Sequence, residues 1–117
     1  MMGLTTHILD LTHGQPASAV LIELYSFEGL SKTFINKTKT NDDGRLDEPL
    51  LTSEALKAGE YELLFYIGDY FRAKELDLPD PMFLNKVSVR FGVEDTDEHY
   101  HVPLLISPWG YQVYRGS

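Results

Sequence analysis

The sequence contains no cysteine. That excludes disulfides, a thiolate metal site and a cysteine nucleophile. It has no Gly-x-Ser-x-Gly elbow and no glycine-rich phosphate loop, so two common routes to hydrolysis and nucleotide binding are missing. No apolar run approaches the about 18 residues needed to span a bilayer. The opening residues, Met1-Met2-Gly3-Leu4-Thr5-Thr6-His7, carry neither the basic nor the apolar stretch of a secretory signal. The expected location is cytoplasmic. Basic charge is also short: 10 Lys and Arg stand against 18 Asp and Glu, for a net charge of -8. The basic residues are scattered, with one cluster from Lys32 to Lys39. Nucleic acid and anionic membranes reward a concentrated basic patch, so neither is an expected partner.

What is present suits one globular domain over residues 1–117. Apolar residues make up 43% and charged residues 24% of the chain, ordinary proportions for a packed protein. A domain of this size buries roughly two-thirds of the surface its unfolded chain exposes, enough for one core.

Most of the chain reads as short strands. Thr5 to Leu11 is β-branched and apolar, and ends at the turn signal His13-Gly14-Gln15-Pro16. Ala19 to Phe27 and Leu30 to Thr40 follow as two more strands. Asn41-Asp42-Asp43-Gly44 is a strong turn signal, because Asp-Gly supplies the positive-φ positions that tight turns need. That turn delivers Arg45 at the head of the segment Arg45 to Leu50. Thr52 to Leu56 is at most a helical turn, and Glu60 to Gly68 is a clear strand. Asp69 to Leu76 predicts a short helix capped by Asp69, with Pro79 and Pro81 forbidding a long continuation. Lys86 to Val93 alternates, with Val87, Val89, Phe91 and Val93 on one face. His99 to Ile106 and Trp109 to Tyr114 close the chain around Ser107-Pro108. The pattern predicts an all-β, antiparallel sandwich of seven or eight strands with one short helix.

Few residues in this pattern offer chemistry. The four histidines are His7, His13, His99 and His101. His99 and His101 are two apart on a strand and share a face. Three readings stay open for them: part of a metal site, one acid–base histidine with an uninvolved neighbour, or two exposed surface histidines. Arg45 is either a solvated turn residue or a guanidinium fork for a planar, oxygen-rich ligand. At the other end, Tyr114, Arg115, Gly116 and Ser117 follow an aromatic-rich strand, which would hold these polar groups on a rigid support.

Four motifs, in order along the whole chain, resemble the 5-hydroxyisourate hydrolases, also called transthyretin-related proteins. They are Leu4-Thr5-Thr6-His7-Ile8-Leu9-Asp10 with Gly14-x-Pro16-Ala17, then Thr40-Asn41-Asp42-Asp43-Gly44-Arg45, then His99 to Tyr111, and finally Tyr114-Arg115-Gly116-Ser117. The resemblance implies the transthyretin-like β-sandwich and a homotetramer, a dimer of dimers with active sites in the clefts where two dimers meet. It implies hydrolysis of 5-hydroxyisourate to 2-oxo-4-hydroxy-4-carboxy-5-ureidoimidazoline, the step after urate oxidation, with neither metal nor cofactor. Carried over residue by residue, it puts His7, Arg45, His101 and Ser117 in catalysis, and His7, Arg45 and Tyr114 in substrate binding. His99 is left as a neighbour, and Arg115 as a structural ion-pair residue. Two rivals belong to other classes: a transthyretin-like carrier of small hydrophobic ligands, which wants an apolar channel, and a histidine-ligated metal enzyme.

Overall fold

The computed structural model describes residues 3–116. Its first strand, β1, is Leu4–Asp10, followed by the two-residue β2 at Gln15–Pro16. A long hairpin comes next, with β3 at Leu21–Glu28 and β4 at Ser31–Lys39. Then come β5 at Gly59–Phe65, the helix α1 at Ile67–Arg72 and β6 at Val87–Val93. β7 at Tyr100–Ser107 and β8 at Gly110–Val113 complete the chain. The strands form two four-stranded sheets, ordered β2-β1-β7-β8 and β4-β3-β5-β6. The expected sandwich of strands with one short helix is therefore what the chain forms. One pairing differs in direction from the rest: β1 and β7 run parallel, with Thr5 opposite His101 and His7 opposite Pro103.

Alternation builds the core. β1 buries Leu4, Thr6, Ile8 and Asp10 and leaves Thr5, His7 and Leu9 half-buried on the other face. β7 does the same with Tyr100, Val102, Leu104 and Ile106 inward. Opposite them lie Ile22, Leu24, Leu63, Phe65, Val87 and Val89 from the second sheet. Each fully buried Leu, Ile or Phe contributes roughly 1.5–3 kcal/mol by leaving water. A one-residue slip of β1 against β7 would turn this face outward, so the core fixes the register.

The helix begins earlier than Asp69. It starts at Ile67, with no side-chain cap at Tyr66, and Asp69 sits inside its first turn, paired with Arg72 at 3.1 Å. Tertiary packing sets this boundary: Ile67 and Gly68 are buried, and the Gly68 N–H donates to the Asn85 carbonyl at 2.7 Å. The segment after Arg45 is not a regular strand. It runs antiparallel along the outer edge of β1 through single bridges, His7 to Arg45 and Leu4 to Leu51.

Candidate active site

The two β1–β7 neighbours Thr5 and His101 share one sheet face, and His7 lies two residues along β1 on that same face. Arg45 is brought to this place by its own turn. Thr40, buried at the turn's base, donates its hydroxyl to the Ala17 carbonyl at 2.7 Å and accepts from the Val20 N–H at 2.9 Å. The Asn41 side chain accepts from the Asp43 and Arg45 N–H groups at 2.9 and 3.1 Å, closing the loop. Gly44, at φ 72°, lets the backbone approach β1 so that its carbonyl accepts from the Ile8 N–H at 2.8 Å. Arg45 then bridges to His7 and keeps its side chain exposed.

The electrostatics tie these groups together. The His7 pKa is lowered from 6.5, by burial first and then by the Arg45 charge, while the backbone and carboxylate of Asp43 pull the other way. The His101 pKa is also lowered, by burial first and then by Arg45, His7 and His99. Both imidazoles are therefore neutral at neutral pH, where each offers a lone pair to accept a proton. His99 enters only as a neighbouring charge. Among the described residues, no group of three His, Asp or Glu side chains converges as metal ligands.

The chain's last segment packs on the same place. The Gly116 N–H donates to the His101 carbonyl at 2.7 Å, and the Tyr114 N–H to the Pro103 carbonyl at 3.4 Å. A Cβ at Gly116 would stand 2.8 Å from His101 Cδ2, so only glycine fits against that ring edge. Of the predicted site residues, His7, Arg45 and His101 come together. Tyr114 arrives through its backbone only: its side chain is 57% exposed, and its hydroxyl has no partner among the described residues. Ser117 lies outside the described residues. Arg115 turns aside, donating to Glu98 at 2.7 Å with its guanidinium 4.2 Å over the Tyr100 ring, as an ion-pair anchor for the segment. Sequence reasoning missed Thr5, whose hydroxyl lies 2.8 Å from His101 Nδ1. The only signal for it was its position two residues before His7 on the same strand face.

A family model described as the HIUase/Transthyretin family matches residues 4–116. The chain belongs to this family. It is 53% identical over 114 residues to "5-hydroxyisourate hydrolase 2" of Rhizobium meliloti (strain 1021), covering 97% of this chain and 95% of that protein. Among solved structures, the 5-hydroxyisourate hydrolase of Klebsiella pneumoniae superposes with a TM-score of 0.81 at 32% identity, and each chain is covered completely. An (S)-allantoin synthase superposes with a TM-score of 0.92 at 40% identity over 98% of this chain, which spans only 43% of that longer one. The HIUase/Transthyretin fold thus accounts for both sheets, and the polar cluster lies on the outer face of the β2-β1-β7-β8 sheet.

Proposed function

We propose that this protein hydrolyses 5-hydroxyisourate to 2-oxo-4-hydroxy-4-carboxy-5-ureidoimidazoline, as a single cytoplasmic domain that uses no metal or cofactor. The observation that carries the reading is the convergence of two neutral histidines and one arginine on a single sheet face. Relatives of about half identity over nearly the full chain bear the name of this hydrolase, which supports it further.

Opening a cyclic amide needs a deprotonated water, a polarised carbonyl and a proton for the departing nitrogen. His7 and His101 hold the water, and one of them takes its proton as oxygen attacks the ring carbonyl. Arg45 orients the planar, oxygen-rich ring and stabilises the oxyanion. The carbon–nitrogen bond then breaks, the attacked carbon becomes a carboxyl group, and the protonated histidine returns its proton to the nitrogen. Tyr114 is assigned to substrate binding and Ser117 to catalysis. A carrier of hydrophobic ligands would line this place with apolar side chains, and His7, Arg45 and His101 do not.

The test generates 5-hydroxyisourate in situ from urate and urate oxidase and follows its decay spectroscopically. The expected result is decay faster than the spontaneous rate, undiminished by a chelator. Decay at the spontaneous rate overturns the reading.

A further inference from the structure

The His101 ring is held on both flanks of its Cγ atom. Thr5 Oγ1 lies 2.8 Å from Nδ1 on one side, and on the other Gly116 lies near enough to Cδ2 that an added Cβ would stand 2.8 Å from it. The Cε1–Nε2 edge is what remains, and Nε2 has no hydrogen-bond partner among the described residues. The two partners come from opposite ends of the chain, and the bond between them spans 96 positions. We propose that Thr5 is the positioning residue for His101. Its hydroxyl accepts from Nδ1–H, which leaves the Nε2 lone pair as the site where the proton is taken up and given back. This inference rests on the hydrolytic reading above.

The choice of a hydroxyl has a chemical consequence. A carboxylate on Nδ1 would orient the ring equally well but would raise its basicity. A hydroxyl orients it without adding charge. The groups facing His101 are Arg45 from the turn, His7 from β1 and His99 on its own segment, and all three disfavour the imidazolium. With a neutral partner on Nδ1, the ring stays unprotonated at neutral pH and ready to accept a proton. When Nε2 takes that proton, Nδ1–H goes on donating to Thr5, so the ring need not turn during the reaction. Thr5 touches neither water nor substrate in this scheme and acts only through His101.

The test compares Thr5→Val, which keeps the β-branched shape and removes the hydroxyl, with Thr5→Ser, which keeps the hydroxyl. Nitrogen-15 NMR of the His101 ring is read beside the kinetics of 5-hydroxyisourate decay. Thr5→Val is expected to lower kcat about 10- to 100-fold with KM nearly unchanged, and to replace a single Nδ1–H tautomer with a mixture. Thr5→Ser is expected to restore most of both. A Thr5→Val protein with the wild-type kcat and the wild-type nitrogen pattern overturns the proposal, as does a wild-type ring protonated on Nε2 at neutral pH. If Thr5→Val does not fold, Thr5→Ser still decides: loss of the Nδ1–H tautomer in it overturns the proposal. A wild-type protein inert on 5-hydroxyisourate overturns the substrate reading instead, and the NMR comparison still judges the role of Thr5.

Discussion

At the scale of single residues, Arg45 has two separable effects. In the proposed reaction its guanidinium stabilises the oxyanion, and its charge also lowers the pKa of both His7 and His101. A catalytic base works only when unprotonated, so the rate falls as pH drops through the lowered histidine pKa. The acid limb of kcat/KM in the wild type, which reports the free enzyme, therefore lies below 6.5, the ordinary histidine value. Arg45→Gln removes the positive charge, and both histidines move back toward that value. Two changes are expected together: kcat drops roughly 100- to 1000-fold, as for loss of one oxyanion donor, and the remaining acid limb shifts to higher pH. Profiles of kcat and kcat/KM against pH check both, and a kcat/KM limb that stays in place would show that Arg45 does not act on the histidines. The Asp10 side chain, by contrast, is fully buried. It accepts from the Thr12 and His13 N–H groups, from Tyr70 Oη at 2.8 Å and from the His13 ring at 2.5 Å. With all its partners in place, it pins the β1–β2 turn to the helix and has no part in the candidate site.

At the scale of elements, the site depends on how closely the Asn41–Arg45 turn approaches β1. A Cβ on Gly44 would stand 2.4 Å from the Ile8 carbonyl oxygen, and the φ of 72° disfavours any side chain. Gly44→Ala is expected to destabilise the fold by on the order of 2 kcal/mol and to lower kcat by more than the unfolded fraction explains, since Arg45 must move with the loop. Thermal melting and kcat on the same sample check this, and a variant equal to wild type in both would show that the close approach is dispensable. The same elements show what a sequence reveals. The Asp-Gly turn and the alternation of Val87, Val89 and Val93 were legible because turn chemistry and a period of two are local. The parallel β1–β7 pairing was not, because no local pattern records which of two distant strands pair, or in which direction. The helix start was misplaced for a similar reason: burial of Ile67 and the Asn85 contact outweighed Asp69's preference for a cap. His7, Arg45 and His101 were readable through the resemblance of their motifs. Thr5 was not, because its role lies in one side-chain bond to a residue 96 positions away.

At the scale of the whole molecule, a single chain leaves the candidate site open. Arg45 and Tyr114 are exposed, and His7 and His101 are only half-buried on an outer sheet face. Hydrolysis of this kind gains from excluding bulk water, which strengthens each electrostatic contact within. Every residue of β8 is exposed. Tyr111 and Val113 pair with the inward-facing Ile106 and Leu104, so their apolar surface lies along the inner side of this edge strand, while Tyr114 follows beside Pro103 at the site. Large exposed apolar surface on a folded chain marks an interaction site. A second copy of the chain laid over the outer sheet face would narrow the cleft around Arg45, His7 and His101, and one set along the β8 edge would cover its exposed apolar residues. The expected assembly is a homotetramer built as a dimer of dimers, with two subunits contributing to each cleft. Light scattering on the eluting protein should give about four times the 13.3 kDa chain mass. If the cleft is shared, specific activity should also fall when the protein is diluted far enough to dissociate, and recover on concentration. A monomer that keeps its full rate at every dilution would show that a single chain holds the complete site, and the closure would then have to come from its own terminal segment.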